Sequence, residues 1–494
     1  MWALTISVVC LWVLLRSLYR LFLHPLSHVP GPKLAAISHA LEFYHDVVRG
    51  GMYIWEIEKM HQKYGPIVRI NPREMHIKDP YFYDEIYASS SRKRDKDPHF
   101  VGIFGFPTSM VATISHEQHR FRRSLLNNFF SKKSVMEMSS ILHDNQTKLR
   151  QRFEQAYTDN SIVRLDDAYA ALTGDIISQY SWGVSSGFLD DKNYKNDIRN
   201  AVNEISTFIH INRFFPTLGL MMRGMPRWLL GYIRPGATAV LDMQDMITQS
   251  STRRSGKGTR WTIFDALSDT SIPPHERTPR RLEDEGLILV GAGTETTARL
   301  LAVASYHIFK STPLLTKLRN EIRTVMPTPT TQASWSELER LPYLNAVIHE
   351  AVRLSFGPIW RSTRVAPTET LIYNGIPIPP GWPVSMSTYF VHMDPRIFPD
   401  PASFQPERWL KAAQNAEHLN QFIVTFCKGS RICLGMNLAY AELFLTLAGL
   451  IRRFDIELYE TGPDDIRIDC ERIVGVPRKG DFAVRAKIVN IITD

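Results

Sequence analysis

The 494-residue chain is poor in cysteine and has only Cys10, Cys427, Cys433 and Cys470. Four cysteines at these separations exclude a disulfide-stabilised secreted scaffold, and they lack the paired spacing of a zinc site. Internal repeats and low-complexity segments are also absent, which excludes a solenoid and a largely disordered chain. A chain of this length buries a core large enough to fold without cross-links, so a cysteine here is a candidate for chemistry.

Dense runs of positive charge are absent too, although Lys and Arg (58) exceed Asp and Glu (50) by 8. Scattered pairs such as Arg253-Arg254 and Arg280-Arg281 occur instead. Proteins that bind nucleic acid concentrate basic residues on one face, so no nucleic-acid partner is expected and a basic nucleic-acid binder stays a minor alternative. The surplus charge suits an anionic membrane surface or an acidic protein partner.

A long uncharged apolar run occurs at the N-terminus, where residues 1–15 read MWALTISVVCLWVLL and Arg16 and Arg20 follow. About 20 residues span a bilayer core and arginines near a helix end can snorkel, so residues 1–23 are predicted to form a transmembrane anchor. The charges after the run place the remaining chain on the cytosolic side. A cleaved signal peptide lacks support, because the start carries no Lys or Arg and no small-residue cleavage site follows. A buried N-terminal helix is the other alternative.

The remaining chain is predicted to be one large domain, residues 35–494, reached through a stiff connector. Residues 24–34 contain Pro25, Pro30 and Pro32 and form this proline-rich connector. Helical periodicity dominates beyond it, most clearly over residues 281–310, and a loop is predicted over residues 252–260. Short β-like pieces occur at 67–70, 75–78, 370–373 and 482–489. The pattern predicts a mostly α fold with small β-sheets rather than a doubly wound sheet.

The stretch most suggestive of chemistry is FCKGSRICLG, residues 426–435. Cys433 lies just before an apolar helix pattern, where the helix N-terminus and Arg431 are expected to lower the pKa of the thiol. Gly429 and Gly435 permit close approach of the backbone to a flat ligand. A thiolate with no nearby His or Cys suits axial ligation of haem iron. The alternative is a buried and inert cysteine.

This stretch resembles the haem-binding loop of the cytochrome P450 family. The five fixed positions of the family pattern are Phe426, Gly429, Arg431, Cys433 and Gly435. Two further stretches resemble family landmarks in the same order along the chain: EAVR at 350–353 and PERW at 406–409. The resemblance implies a structural ion-pair cluster of Glu350, Arg353 and Arg408, and a cytochrome P450 fold with a single large haem domain preceded by the anchor.

Residues 292–297, AGTETT, resemble the oxygen-binding motif of the same family. The resemblance implies that Gly293 opens a groove in the long helix and that Glu295 and Thr296 deliver protons to bound oxygen. A small-residue helix contact is the alternative. A dinucleotide loop is rejected because Thr296 stands where its third glycine is needed and no strand pattern precedes it.

Haem carries two propionates, which need cationic partners. The resemblance implies Arg123 and Arg431, together with Arg364 and, as a second choice, Arg361. His119 stands where the family has a tryptophan. A histidine N–H can donate to a carboxylate, although its neighbour Arg120 is an alternative.

The resemblance implies haem b with an axial thiolate from Cys433, and a haem-thiolate monooxygenase that uses O2 to hydroxylate or epoxidise a lipophilic small molecule. A separate NADPH-dependent cytochrome P450 reductase is expected to supply electrons, met by a basic face that includes Lys132, Lys133, Lys428 and Arg431. The chain is most similar to membrane-bound fungal enzymes of secondary metabolism of the trichodiene-oxygenase type. The mostly apolar segments expected around the pocket imply a lipophilic substrate such as a terpenoid, polyketide or indole derivative. An endoplasmic reticulum membrane location is expected.

Two other functions stay open: a haem-thiolate isomerase or dehydratase that needs no reductase, and a non-catalytic haem-binding protein. Apolar segments at 100–110 and 214–233 are expected to gate and roof the substrate pocket. The glycosylation sequon at Asn145 is expected to stay unused on the cytosolic side.

Overall fold

The computed structural model describes residues 1–252, 262–477 and 482–493. The loop predicted over residues 252–260 lies, beyond its first residue, outside the described residues. The helices of the first half are α1 Trp2–Leu18, α2 Lys33–Ile37, α3 Ala40–Phe43, α4 Tyr53–Tyr64, α5 Tyr83–Ile86, α6 Pro98–Val101, α7 His116–Asn127, α8 Lys132–Glu137, α9 Ser139–Thr158, α10 Leu165–Trp182, α11 Asp197–Phe214, α12 Pro216–Arg223, α13 Arg227–Ile233 and α14 Thr238–Thr252.

The second half begins after residue 262. Its helices are α15 Ile263–Leu267, α16 Pro279–Lys310, α17 Thr312–Ile322, α18 Trp335–Leu338, α19 Pro342–Ser355, α20 Thr388–His392, α21 Glu407–Gln414, α22 Met436–Arg453 and α23 Pro463–Ile466. The strands of the whole chain are β1 Ile67–Arg69, β2 Met75–Ile77, β3 Ile162–Arg164, β4 Arg364–Val365, β5 Leu371–Tyr373, β6 Ile376–Ile378, β7 Pro383–Ser385, β8 Phe454–Leu458, β9 Cys470–Arg472, β10 Val474–Val476 and β11 Arg485–Ile491. The predicted class, mostly α with small sheets, is confirmed.

The strands form small separate sheets. The largest has the order β1-β2-β7-β4, in which β2 and β7 are parallel, with Met75 opposite Val384, and the other neighbours are antiparallel. A second sheet has the order β3-β11-β8, while β5-β6 and β9-β10 are antiparallel pairs. Three of the four β-like pieces predicted from the sequence contain β1, β2 and β5, and the fourth, 482–489, overlaps most of β11.

The long helix α16 is the centre of the core. Its start is set by Thr278, whose side chain accepts the Arg281 N–H, and by Pro279 in the first turn. It packs against α10 so closely that a Cβ on Gly293 would lie 2.8 Å from Cγ1 of Ile177. Helices α19 and α22 complete the same hydrophobic cluster. This arrangement holds the helix with the AGTETT motif opposite the loop that carries Cys433.

The N-terminal helix has no buried residue, and its last turn contacts the body through Arg20, which donates to the Ile37 carbonyl and accepts from Arg69. Helix α1 continues through a π-helical turn, Tyr19–Leu23, and the whole segment Trp2–Leu23 has 22 residues and a mean hydropathy of 1.8. None of it is buried, so the alternative of a buried N-terminal helix is not supported. By length and composition the segment can cross a membrane. Helix α16 is also apolar enough, but it is 78% buried and is a core helix.

Candidate active site

A cavity of about 760 Å³ lies between α16, α11 and the loop before α22. All of the single residues predicted for the cysteine loop and the oxygen motif line it, apart from Gly429: Gly293, Glu295, Thr296, Phe426, Arg431, Cys433 and Gly435. The cavity therefore brings together two motifs that are more than 100 residues apart in the chain.

The loop 426–435 presents Cys433 to this cavity. The Cys433 N–H donates to the Phe426 carbonyl over 2.8 Å, which closes the loop. Gly429 has φ of 71°, and a Cβ there would lie 2.1 Å from the Ala88 carbonyl oxygen, so glycine is required. Nothing lies within 4 Å of a Cβ built on Gly435, on the cavity side of the loop. The Cys433 side chain is exposed, but to the enclosed cavity.

The prediction that the surroundings lower the pKa of the Cys433 thiol is wrong for the protein chain itself. Burial raises this pKa, and the Gly435 N–H and the Arg123 guanidinium offset the effect only in part. Arg431 contributes little because its guanidinium turns away and donates to the carbonyls of Thr113 and Ile114, over 2.8 and 2.6 Å. A metal ion that coordinates a thiol deprotonates it outright. Formation of the Cys433 thiolate would therefore depend on the metal ion that binds it.

Five of the basic side chains that line the same cavity are called the cationic cluster below: Lys96, His119, Arg123, Arg364 and Arg431. No salt bridge joins any of the five to a carboxylate in the described part of the chain. The lysine and the arginines donate mainly to backbone carbonyls, as with Arg123 Nη1 and the Ile432 oxygen at 2.5 Å, and Arg364 also donates to the Cys427 sulfur. Burial, reinforced by the neighbouring cations, lowers the pKa of Arg431 to about 9 and that of His119 to about 2.

The cationic cluster and the thiol fit the cofactor implied by the resemblance. Asp95 acts on Arg431 from nearby, but no carboxylate among the described residues is ion-paired with the cluster. Buried positive charge with so little counter-charge is unfavourable, so the cluster suits anions, and two propionates supply them. Cys433 on the same cavity is a soft ligand suited to iron. His119 lines the cavity whereas Arg120 is exposed, which favours His119 of the two alternatives. The sequence analysis missed Lys96, because it lies in a charged stretch, RKRDK, where a solvated lysine is the usual outcome.

The ion-pair cluster beside the cysteine loop has close geometry. Arg353 Nη2 and Glu350 Oε1 are 2.7 Å apart, and Arg408 Nε lies 3.1 Å from the same oxygen. The Trp409 indole N–H donates to Glu350 Oε2 over 2.9 Å. His392 joins this cluster to the loop: its Nδ1–H donates to the Arg353 carbonyl, and its Nε2 accepts the Val424 N–H. The i, i+3 spacing of Glu350 and Arg353 made their contact predictable, whereas His392 carried no signal in the sequence.

The oxygen motif has one feature that the sequence did not suggest. Thr296 donates its hydroxyl to the Ala292 carbonyl over 2.8 Å within α16. Glu295 is not free: its Oε2 lies 3.1 Å from Nε of Arg199 on α11. Arg199 in turn pairs with Asp166 at 2.9 Å. Arg199 on α11 therefore holds the Glu295 side chain in position, and it is a site residue that sequence reasoning missed. The close packing against Ile177 explains why residue 293 is a glycine. The role of Gly293 in opening a groove stays a prediction.

Arg361, the second choice as a propionate partner, does not reach the cavity. It lies in a buried group that we call the acidic cluster: Glu42, Asp46, Glu74 and Glu471 with Arg213, Arg361 and His210. Arg361 Nε lies 3.3 Å from Glu74 Oε1, and Arg361 pairs closely with Glu42. That expectation is wrong, because carboxylates from distant parts of the chain already occupy its guanidinium.

Two other expectations change with the structure. Arg431 is buried, so it cannot be part of a basic docking face, and Lys428 is paired with Asp84 at 2.9 Å. Asn145 is buried and its side-chain amide donates to the Ile141 carbonyl and to Gln179, at 2.8 and 3.0 Å. The folded sequon is therefore inaccessible to a glycosylating enzyme.

Comparison with known proteins identifies relatives along almost the whole chain. The family model for cytochrome P450 matches residues 30–483. The chain is 45% identical over 479 residues to cytochrome P450 monooxygenase TRI4 of Trichoderma arundinaceum, covering 96% of this chain and 93% of the relative. It is 44% identical over 483 residues to conidiogenone synthase PchP450 of Penicillium rubens, and 41% identical over 487 residues to cytochrome P450 monooxygenase aflU of Aspergillus parasiticus, in each case over 96% of both chains.

Proposed function

Because this chain belongs to the cytochrome P450 family, we propose that Cys433 is the axial thiolate ligand of its haem b and that its substrate is a lipophilic small molecule. The coarser function follows from the family match and the relatives: the chain is a haem-thiolate monooxygenase of the kind that fungi use in secondary metabolism. The similarity to enzymes of the trichodiene-oxygenase type, predicted from the motifs, is confirmed. The observation that carries the proposal is the cavity that Cys433 and the cationic cluster share.

The cationic cluster orients the cofactor. Arg123, His119 and Arg364 are proposed to hold the propionates together with Arg431, and we add Lys96 to this set. Phe426, Gly429 and Gly435 shape the loop that keeps the Cys433 sulfur at the cavity. Glu350, Arg353 and Arg408 keep that loop in place from behind. When bound, haem b supplies the iron at which O2 is reduced, and its thiolate ligand favours O–O cleavage.

Proton delivery is assigned to Thr296 and Glu295, next to Gly293 on α16. Thr296 can release its bond to the Ala292 carbonyl by rotating its hydroxyl, and it can then donate into the cavity. Glu295 is a carboxylate beside it, and its ion pair with Arg199 fixes its position. To pass a proton to Thr296, Glu295 must first take one up, which requires this ion pair to loosen. The Arg199 contact is therefore proposed to control the proton supply.

The wall of the cavity favours a lipophilic substrate. Phe100, Phe104 and Trp360 form an edge-to-face trio with ring centroids 5.4 to 6.2 Å apart. Apolar residues of α16 such as Leu287 and Leu289 line it as well. Aromatic and aliphatic walls bind apolar skeletons, and they leave the position of oxidation to shape. We propose hydroxylation or epoxidation of a terpenoid, polyketide or indole-type skeleton.

Members of this family work with a redox partner, and we propose an NADPH-dependent cytochrome P450 reductase for this chain. Lys132 and Lys133 begin α8 and are exposed, although each pairs with a glutamate. Residues 1–23 are proposed to anchor the enzyme in the endoplasmic reticulum membrane with residues 35–494 in the cytosol, joined by residues 24–34. Removal of residues 1–23 is expected to shift the protein from the membrane fraction to the soluble fraction.

The test of the ligand assignment compares two cysteines of one loop. Cys433→Ala is expected to abolish the carbon-monoxide spectrum of thiolate-ligated haem and all turnover, whereas Cys427→Ser keeps the spectrum. A normal spectrum in Cys433→Ala would reject the assignment.

Dependence of turnover on NADPH and O2 separates a monooxygenase from an isomerase or dehydratase, and turnover itself separates it from a haem-binding protein. Metabolites that accumulate when the gene is deleted then supply the substrate candidates.

A further inference from the structure

The acidic cluster carries more negative than positive charge inside the protein. Its four carboxylates, Glu42, Asp46, Glu74 and Glu471, are each at most 2% exposed. Two guanidiniums, Arg213 and Arg361, face them. With all four carboxylates ionised and His210 neutral, the cluster would have a net charge of −2; burial raises the pKa of Asp46 and brings those of Glu74 and Glu471 to about 7, so protons offset part of this charge. Uncompensated charge in the interior costs several kcal/mol per ion, so this cluster needs further positive charge.

The two arginines are committed mainly to other members of the cluster. Arg213 Nη2 lies 2.6 Å from Glu42 Oε1, and Arg361 bonds to Glu42 and Glu74. Their distances to Asp46 Oδ2 are longer, 4.0 and 3.6 Å, and neither is a hydrogen bond. Asp46 Oδ2 therefore keeps its lone pairs for another partner.

His210 presents its free nitrogen to this oxygen. His210 Nε2 lies 2.8 Å from the backbone carbonyl oxygen of Glu471, which can only accept, so Nε2 carries the proton. In the neutral ring Nδ1 is then a lone pair, and it lies 3.7 Å from Asp46 Oδ2. Neither atom has a hydrogen-bond partner among the described residues, and the two residues are 5% and 1% exposed. A lone pair facing a carboxylate oxygen is repulsive, so either a proton on Nδ1 or a cation between the two atoms has to supply positive charge here.

We propose that Asp46, His210 and Glu471 bind a divalent first-row metal ion, for which zinc is the best match. One ligand atom from each of the three lies within 4.8 Å of the others. Zinc bonds to nitrogen and oxygen are about 2.0–2.2 Å, which places tetrahedral neighbours about 3.4 Å apart, close to the separation of the His210 and Asp46 atoms. A divalent ion also offsets the net charge of −2. A histidine ligand that donates its other N–H to a backbone carbonyl is the usual arrangement around zinc.

The ion would join three parts of the chain that surround the substrate cavity. Asp46 follows α3 near the N-terminal anchor, His210 is in the last turns of α11, and Glu471 is in β9. Ile209 and Arg472, the neighbours of the last two ligands, line the cavity. The site lies outside the haem region and is assigned a structural role: it clamps α11 and the β9–β10 hairpin to the N-terminal segment.

The test uses the full-length, haem-loaded protein without a histidine tag. Zinc is added, excess is removed on a desalting column, and zinc is counted per haem iron by mass spectrometry. His210→Gln is the sharpest variant, because the Gln amide keeps a donor near the Glu471 carbonyl and lacks the Nδ1 lone pair. Asp46→Asn removes a second ligand with no change of size. His143→Gln, on α9 outside the cluster, is the matched control.

Wild type and His143→Gln are expected to retain about one zinc per haem and to gain thermal stability with added zinc. His210→Gln and Asp46→Asn are expected to lose both effects while they keep the haem spectrum. Zinc absorption spectroscopy is expected to show only nitrogen and oxygen neighbours near 2.0–2.2 Å. Absence of zinc in the wild type means that protons balance the cluster, and it overturns the proposal. Equal retention by His210→Gln and wild type overturns it as well.

Discussion

Arg361 and Arg364 are three residues apart and both are buried, yet they occupy opposite environments. Arg361 lies among the carboxylates of the acidic cluster; burial alone would lower its pKa, but Glu42 and Glu74 raise it well above the usual value. Arg364 belongs to the cationic cluster, where its polar contacts are the Thr363 carbonyl and the Cys427 sulfur. There, burial lowers the pKa of Lys96 well below its usual value, and the neighbouring arginines reinforce this.

The two clusters are unbalanced with opposite signs, and the sign of each indicates the ligand that fits. The cationic cluster opens on a cavity with a cysteine and suits a flat cofactor with two carboxylates. The acidic cluster is enclosed and contains an unpaired imidazole nitrogen, which suits a small cation. Buried charge left without a partner is costly, so it marks the places where a ligand completes the fold. A buried arginine that is already paired with a carboxylate, such as Arg353, does not indicate a ligand site.

The largest expected effect is that of Arg361→Leu. This change leaves the four buried carboxylates with one guanidinium, and the removal of one partner from a buried ion pair costs about 3–5 kcal/mol. The midpoint of urea unfolding, measured on haem-free protein, is expected to fall accordingly. Arg364→Leu, which removes one of several like charges, is the control and is expected to change this midpoint little. Equal losses in the two variants would contradict the contrast between the clusters.

Acid is expected to destabilise the cationic cluster through His119. Its pKa is lowered to about 2 by burial and by Arg431, Lys96, Arg123 and Arg364, so it is neutral when folded. The unfolded chain takes up this proton below about pH 6.5, so folding stability falls as the pH falls, by about 1.4 kcal/mol per pH unit. In haem-free protein His119→Gln is expected to have a flatter dependence of stability on pH between 6.5 and 4.5. Parallel curves for the two proteins would show that His119 is not held neutral.

The affinity for haem is a second test of the cationic cluster. Arg364→Leu removes one hydrogen bond to a charged group, which contributes about 1.5–3 kcal/mol, so the haem dissociation constant is expected to rise about 10- to 150-fold. Haem transfer to an acceptor protein measures the change. Arg120→Leu is the matched control, since Arg120 is exposed and does not line the cavity. A similar rise in the control would assign the effect to surface charge.

The family, the fold class and the position of the site were predictable from the sequence, because their signals are local. Cys433 and its glycines lie within ten residues, and Glu350 and Arg353 are one helical turn apart. The partners of the buried arginines were not predictable. Glu42 and Arg361 are 319 residues apart, and Glu295 meets Arg199 only because α11 crosses α16. Arg361 and Arg364 are the same residue type in one short stretch, so only the fold decides which of them reaches the cavity.

The pKa of the Cys433 thiol failed as a prediction for a related reason. The helix N-terminus and a nearby arginine were visible in the sequence, and both favour a thiolate. The depth of burial and the direction of the Arg431 side chain were not visible in the sequence. They decide whether the pKa of the Cys433 thiol is raised or lowered. Local pattern therefore indicated a candidate ligand but not its electrostatic environment.

The smallest expected effect, that of Lys96→Met, distinguishes the clusters by sign. Lys96 Nζ donates to the Val111 carbonyl and lies 4.6 Å from the ring centroid of Phe104, so Met keeps the apolar contact and removes the charge. Haem-free protein is expected to keep or gain stability, because the repulsion from Arg431 and Arg364 is relieved, whereas haem affinity is expected to fall by less than about tenfold. Urea unfolding and haem transfer measure the two quantities. In the acidic cluster Arg361→Leu has no such opposed effect, since its loss leaves carboxylates unpaired with or without haem. A fall in haem-free stability as large as that of Arg361→Leu would mean that the Lys96 charge has a partner within the protein chain.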